Sequence, residues 1–210
     1  MSPNPWAEAP AHVGTPDERE ARVPRRSHGR STAPLSAAQR VLRRLHRLDL
    51  HGGMASRPVG LRLHGPLDVM ALGRAIEEVV RRHEALRTVF RDDADGPVQV
   101  VQPVGPVPLA GVDLRAHPPA EREAEAMRVA AAESRRPFDL AVGPMVRALL
   151  IRIDAQDHAL VLSMHHMSAD AWSAVILLHE LAALYGAFAS GASSPLAELP
   201  IQYADYAAWE

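Results

Sequence analysis

The chain has 210 residues, enough for one large domain, and its 47% hydrophobic content is that of a globular protein with a sizeable core. A net charge of −2 argues against nucleic acid or an anionic membrane as the main partner. Cysteine is absent, which excludes disulfides, thiolate catalysis and cysteine-ligated metals and fits a reducing compartment such as the cytoplasm.

Residues 1–33 contain five prolines, scattered charges and no apolar run. Such a segment buries too little surface to offset its ordering entropy, so we expect a disordered leader over 1–33 and a folded domain over 34–210. The leader lacks the hydrophobic region of a signal peptide. No stretch of about 18 uninterrupted apolar residues occurs, so the sequence predicts no transmembrane helix.

The first half of the ordered part alternates helices and strands. Ser36 is placed to cap a helix that runs towards Leu48, and residues 59–64 form a strand that ends at a Gly-Pro pair. Asp68 is placed to cap a second helix, in which apolar residues recur at helical spacing. Residues 86–91 and 98–102 predict a hairpin around a turn at 93–97, and the proline-rich 103–108 predicts a loop.

In the second half, Pro118-Pro119 opens a charged, alanine-rich helix to about Arg135. Residues 145–153 and 158–164 are two strands joined by a polar turn, and the second is apolar on both faces, as a central strand is. A long helix starts near Asp170, followed by a Gly/Ser/Pro linker and a short helix at 201–209. We expect the apolar side chains of the long helix to lie mostly on one face: Trp172, Val175, Leu178, Tyr185 and Phe188. The pattern predicts an α+β fold with helices covering a mixed sheet.

The most informative residues are His165 and His166, at the mouth of the apolar strand, with Asp170 four positions after His166. A loop between strand and helix can project an imidazole into a cleft, where it accepts a proton or hydrogen-bonds a developing charge. The aspartate could bond the ring or brace the loop by pairing with a distant arginine. No nucleophilic Ser, Cys or Lys lies beside the pair, which favours direct transfer over a covalent acyl-enzyme.

Spacing alone also allows two simpler interpretations. The histidines could end the strand by accident while Asp170 only caps the following helix, and short motifs have a high false-positive rate. His165, His166 and Asp170 could instead bind a metal, but adjacent strand residues point to opposite sides and no further ligand cluster stands out.

The run His165-His166-Met167-Ser168-Ala169-Asp170-Ala171 resembles the His-His-x-x-x-Asp-Gly signature of the condensation domains of nonribosomal peptide synthetases. Three further segments resemble that family in the same order along the chain. They are Ser36-Ala37-Ala38-Gln39, Arg82-His83-Glu84-Ala85-Leu86-Arg87-Thr88-Val89-Phe90 and Tyr203-Ala204-Asp205-Tyr206-Ala207-Ala208-Trp209. Four motifs in order are far more specific than any one of them.

The resemblance implies the N-terminal lobe of a two-lobed fold like that of chloramphenicol acetyltransferase. A tunnel between the lobes admits two thioesters, each tethered to a carrier protein by phosphopantetheine, and no other cofactor is implied. The acceptor amine attacks the donor thioester beside His166 to form an amide. His165 supports the site, and Asp170 pairs with Arg87 to brace the loop, an arrangement that suits a carboxylate and a bidentate guanidinium.

Three departures from the family pattern matter. Ala171 replaces the signature glycine, which puts a methyl group beside the reacting centre. The first motif continues with Val41 and Arg43 where the family has an arginine and an aromatic residue. The family's C-terminal lobe would begin after Glu210, so we expect activity only when such a lobe is supplied, and self-association of this chain alone. The alternatives are an ester-forming acyltransferase, an epimerisation domain, or an inactive module that binds a carrier or a synthetase.

Overall fold

The computed structural model of the protein describes residues 23–26, 31–48 and 56–210. Most of the expected leader lies outside these ranges. The expected start of the fold at Pro34 is slightly late, because a first strand, β1 (Thr32–Pro34), already pairs with a later strand. Arg25 and Arg26, further upstream, also contact the C-terminal part of the chain.

The larger sheet has four strands: β2 (Ser56–His64), β5 (Leu109–Asp113), β6 (Val146–Asp154) and β7 (Asp157–His165). Their order is β2-β7-β6-β5, so β7 lies inside the sheet, as its two apolar faces predicted. Seven of the nine β7 residues are buried, including His165 at its end. The sheet therefore carries the histidines on a strand that is hydrogen-bonded on both sides.

One strand of this sheet was missed from the sequence. β5 pairs with β6 in parallel, whereas the other pairs of the sheet are antiparallel. The five residues Leu-Ala-Gly-Val-Asp have little apolar alternation and follow a proline-rich loop, so no local signal marked them. A parallel neighbour is specified by long-range packing, which a single segment does not show.

The smaller sheet has the order β1-β4-β3 and contains the expected hairpin, β3 (Thr88–Asp93) and β4 (Gly96–Val101). The predicted strand over 86–91 begins later than expected, since Glu84–Arg87 forms a 3-10 turn. That turn points Leu86 into the core, where it is 2% exposed.

Five helices cover the sheets: α1 (Ala37–Leu48), α2 (Val69–Arg82), α3 (Arg122–Arg135), α4 (Ala171–Ala189) and α5 (Tyr203–Trp209). Both predicted caps are formed. The Ser36 hydroxyl accepts from the backbone N–H of Gln39 at 3.1 Å, and the Asp68 carboxylate accepts from Ala71 at 2.9 Å. The expected α+β fold, with helices against a mixed sheet, is confirmed.

The predicted inner face of α4 is wrong. Its buried residues are Leu177, Leu181 and Leu184, whereas Trp172 is 75% exposed. The helix is apolar nearly all round, so hydrophobic periodicity could not show which side would be covered. By length and a mean hydropathy of 1.4, α4 is also the one helix in the described ranges that meets the criteria for a membrane span. Its leucines pack against β6 and β7 in the main core, which is sufficient explanation for their apolar character.

Candidate functional site

The histidine loop, residues 165–170, connects β7 to α4 and closes on itself. The backbone N–H groups of Ser168 and Ala169 both donate to the carbonyl of His165, at 2.9 and 3.2 Å. The His165 N–H in turn donates to the carbonyl of Met145, at 3.1 Å. The loop therefore has little freedom, as the positioning of a reactive side chain requires.

His166 is half-buried, and its ring orientation follows from one contact. Nδ1 lies 3.3 Å from the carbonyl oxygen of Ala169, which can only accept. Nδ1 must therefore carry the proton in neutral His166, and Nε2 keeps its lone pair. The ring borders a cleft of about 190 Å³ between the loop, α1 and Tyr203 of α5. A base or hydrogen-bond acceptor is thus held at a small open cleft.

His165 differs from its neighbour in every respect. It is 2% exposed, its Nδ1 accepts from the N–H of Met167 at 3.1 Å, and its Nε2 donates to Nδ1 of His46 at 3.3 Å. Burial, and then the nearby His46 and His166, lower the pKa of His165 to about 4. It is a neutral structural group. His46, on α1, was not singled out from the sequence, because a lone histidine on a charged helix gives no signal.

Asp170 is exposed and caps α4. Its Oδ1 accepts from the N–H of Ser173 at 2.7 Å and from the Ser173 hydroxyl at 2.6 Å. These hydrogen bonds from Ser173 lower the pKa of Asp170, so it is ionised at neutral pH. The carboxylate holds the helix start against the loop and leaves the ring of His166 to Ala169.

The expected ion pair between Arg87 and Asp170 is wrong: within the described ranges, Arg87 has one carboxylate in reach, that of Glu84 at 3.7 Å. Arg87 also donates to the carbonyl of Gln102, and its buried Nε has no partner in the described part of the chain. The 3-10 turn that ends at Arg87 directs the side chain towards Gln102, and Ser173 already satisfies Asp170. Local capping outcompetes the distant pairing.

Ala171 is the first residue of α4 and is exposed. In the described residues, positive φ occurs only at glycines, so the backbone at Ala171 is one that alanine adopts without strain. The methyl group stands at the helix surface and is not packed into the core.

The Arg82-His83-Glu84 motif connects distant parts of the chain. Arg82, 3% exposed, donates to the carboxylate of Glu180 on α4 at 3.1 Å and to the carbonyl of Ala197 at 2.8 Å. Nε2 of His83 lies 2.8 Å from the same carboxylate. Burial acts to raise the pKa of Glu180, but hydrogen bonds from Arg82 and His83 outweigh it and lower the pKa. The motif therefore fastens α2 to α4 and to the linker before α5.

Glu84 contacts the N-terminal segment. Arg26 forms ion pairs with Glu84 and with Asp205 of α5, the latter at 2.8 Å. Arg25 donates to the carbonyl of Pro200 at 2.5 Å. Both arginines lie in the segment expected to be a leader, so composition alone missed this contact. Among the residues that the structure describes, no group of three His, Cys, Asp or Glu side chains is arranged to hold a metal ion.

The fold and the histidine loop together define one lobe of an acyltransferase of the chloramphenicol acetyltransferase type. The family model "Condensation domain" matches residues 30–210. The chain is 44% identical over 188 residues to a linear gramicidin synthase of Brevibacillus parabrevis, a match that covers 90% of this chain and 2% of that protein. It is 45% identical over 177 residues to chondramide synthase cmdD of Chondromyces crocatus, covering 84% and 4%. This chain belongs to the condensation-domain family of nonribosomal peptide synthetases.

Solved structures agree. The X-domain of teicoplanin biosynthesis, in its complex with OxyB, matches with a TM-score of 0.77 and 33% identity over 88% of this chain and 39% of that one. The first condensation domain of the calcium-dependent antibiotic synthetase, with a substrate analogue bound, gives 0.72 and 28%, covering 80% and 40%. The chain thus spans about 40% of the structures it matches and a small fraction of the synthetases.

Proposed function

We propose that this chain supplies the His166 side of a condensation site that joins two carrier-bound thioester substrates through an amide bond. The observation that carries the proposal is the orientation of His166, whose Nδ1–H is engaged by Ala169 and whose Nε2 lone pair borders the cleft. Family membership supports the reaction class, and carrier proteins bearing phosphopantetheine thioesters are the implied partners. The reaction would take place in the cytoplasm.

In the proposed reaction, the amine of the acceptor substrate attacks the carbonyl carbon of the donor thioester. Nε2 of His166 accepts a hydrogen bond or a proton from the attacking amine, the carbon–sulfur bond breaks, and the proton is transferred to the departing thiolate. General base and positioning roles both use the same lone pair. His165 is neutral and has both nitrogens occupied, so it supports the loop and does not exchange protons with substrate.

A second lobe completes the site in this proposal, whether it lies in the same polypeptide or in another. Near the histidine loop, the first two turns of α4 expose Trp172, Val175 and Ile176 by 75%, 46% and 42%. We propose that the second lobe covers this face, which would exclude water and hold both thioesters in register.

The test is a reconstituted condensation assay. The chain is combined with the C-terminal lobe of a related condensation domain, fused or separate, and presented with one donor and one acceptor carrier protein, each loaded with its aminoacyl thioester. Amide product measured by mass spectrometry should depend on both the second lobe and His166. Product that forms equally well with His166→Ala would refute the assignment.

The competing candidate is an interaction module without condensing activity. Its support is the likeness to the teicoplanin X-domain, which was solved in complex with OxyB. In that case the reconstituted protein would form no amide with any loaded carrier pair, yet would bind a partner protein with an affinity that His166→Ala leaves unchanged. The ester-forming and epimerising alternatives are distinguished in the same assay by offering an alcohol acceptor and by chiral analysis of the product.

A further inference from the structure

A buried polar network lies directly behind the histidine loop. Ser36, Gln39 and Gln99 are 1%, 2% and 1% exposed, and hydrogen bonds connect them to each other. Burying amides and hydroxyls is unfavourable unless they are paired, so a network of this kind fixes its members in one arrangement. It joins the start of α1, strand β4 and the loop that carries His166.

The orientation of the Gln39 amide is set by its neighbours. Oε1 of Gln39 accepts from the backbone N–H of Ser36 at 3.0 Å and from Nε2 of Gln99 at 3.2 Å. Nε2 of Gln99 must be a donor, because its other partner is the carbonyl of Pro34 at 2.7 Å. With two donors facing Oε1, the remaining side of the Gln39 amide is its NH₂ group.

That NH₂ group faces the histidine loop. Nε2 of Gln39 lies 3.4 Å from the carbonyl oxygen of Met167, the residue directly after His166. The N–H of Met167 donates to Nδ1 of His165. Met167 is therefore held at both of its backbone polar groups, and His166 projects from between two fixed residues.

We propose that Gln39 is a positioning residue for His166: through the Met167 carbonyl it holds the loop in the turn that brings the Ala169 carbonyl to Nδ1 of His166. The inference rests on the proposed function only for its effect on catalysis. Its effect on the protonation pattern of the His166 ring is independent of any reaction. Loss of the Gln39 donor would free the turn, weaken the bond from Nδ1 to Ala169 and let the proton move to Nε2.

The test substitution is Gln39→Glu, which keeps an acceptor for Ser36 and Gln99 and removes only the N–H groups that face Met167. Gln39→Met, similar in length but without polar atoms, is the second variant in case a buried carboxylate prevents folding. Thr88→Val is the matched control. Thr88 is 1% exposed and its hydroxyl donates to the Glu84 carbonyl at 2.7 Å, so the control loses one buried hydrogen bond away from the loop.

The first readout is ¹⁵N NMR of the full chain labelled at histidine, below the concentration at which it self-associates, with the His166 signal assigned by its loss in His166→Asn. Wild type and Thr88→Val should show His166 protonated at Nδ1, and the Gln39 variants a shift towards Nε2–H. The second readout is the reconstituted condensation assay, in which the Gln39 variants should lower kcat about tenfold or more with KM changed less than about threefold, as misplacement of a reacting group predicts.

The two readouts separate the two claims. If wild type forms no product but the Gln39 variants shift the His166 proton, the proposed function fails and the positioning role stands. If the His166 proton stays on Nδ1 in every folded Gln39 variant, the positioning role is overturned whatever the activity.

Discussion

The Nδ1 atom of His166 lies 3.3 Å from the carbonyl oxygen of Ala169, three residues further along the same loop. A carbonyl accepts only, so this contact determines which nitrogen of His166 is free to meet substrate. It also explains how a loop without a paired carboxylate can orient a catalytic imidazole, because the loop's own backbone takes the role that a side chain has in other sites.

Replacing His166 with Asn tests that role. The Asn side-chain amide can still donate to Ala169 but has nothing in the place of Nε2, so the loop should keep its shape while the site loses its base or acceptor. We expect the condensation rate in the reconstituted assay to fall about 10²-fold or more, as for positioned acid–base groups generally. His166→Ala should fall as far. His179→Asn, on the exposed side of α4, is the control and should retain wild-type rates.

A double-mutant cycle on Arg87 and Asp170 tests their lack of contact. Asp170→Ala should lower the free energy of unfolding by about 1 kcal/mol, because it removes the cap of α4. The effect of Arg87→Ala should add to it with a coupling of less than about 0.5 kcal/mol, as for independent sites. Urea unfolding of the four proteins measures both quantities. A coupling well above 1 kcal/mol would show that the two side chains do pair in solution.

The adjacent arginines Arg81 and Arg82 should differ sharply in their importance. The side chain of Arg82 is 2% exposed and holds Glu180, whereas that of Arg81 is 38% exposed and pairs with Glu78 and Glu198. Arg82→Gln should therefore lower the free energy of unfolding by about 3 kcal/mol or more, since it leaves a partly buried carboxylate without its charge partner. Arg81→Gln, the matched control, should lower it by less than about 1 kcal/mol. Similar losses for the two variants in urea unfolding would contradict the assigned role of the motif.

His165 should make the protein less stable in mild acid. Burial and the neighbouring His46 and His166 lower its pKa from 6.5 to about 4, so between those values the unfolded chain binds a proton that the folded one does not. Stability is therefore fully present above pH 6.5 and falls as the pH drops to about 4, by about 3 kcal/mol from this group. His165→Asn keeps an acceptor for the Met167 N–H and removes the titration, so its unfolding free energy should change less over that range.

Comparing urea unfolding of wild type and His165→Asn at several pH values isolates this contribution. His158, whose pKa is lowered mainly by burial and next by Arg152, acts in the same direction and is present in both proteins. Parallel pH profiles for the two proteins would mean that His165 titrates normally.

Local signals predicted what local physics decides. The caps at Ser36 and Asp68 and the central position of β7 follow from side chains and patterns within a few residues, and all three are present. The parallel strand β5 and the exposed side of α4 depend on which other surfaces are available to pack against, and neither was visible in the segment itself.

The site divides in the same way. His166 at a strand end was predicted because the strand and the helix start flank it in sequence. The partners of Arg87 and Asp170 were inferred from the family pattern, but each side chain found a nearer one, Gln102 and Ser173. His46 and Gln39 reach the loop from α1, more than a hundred residues earlier, and spacing carries no information about such contacts.

The exposed face of α4 should make the chain self-associate when no second lobe is present. Trp172, Val175 and Ile176 lie three and four positions apart, so they share one side of the helix, and a contiguous apolar face of this kind is uncommon on a soluble monomer. Trp172→Arg should reduce association most, because this residue has the largest exposed fraction of the three, 75%. Light scattering across a concentration series measures the effect on mean mass.

Met127 on α3, 65% exposed, provides the control for surface hydrophobicity in general: Met127→Arg should leave the association of the chain unchanged. Addition of the C-terminal lobe should dissociate the wild-type oligomer, since the lobe and a second copy would compete for the same face, and should have little effect on the mass of the Trp172→Arg variant. A wild-type chain that stays monomeric at high concentration, or an oligomer that Trp172→Arg and Met127→Arg weaken equally, would rule out this face as the contact. The competition then also reports on the proposed site, because a lobe that binds over Trp172 closes the cleft beside His166.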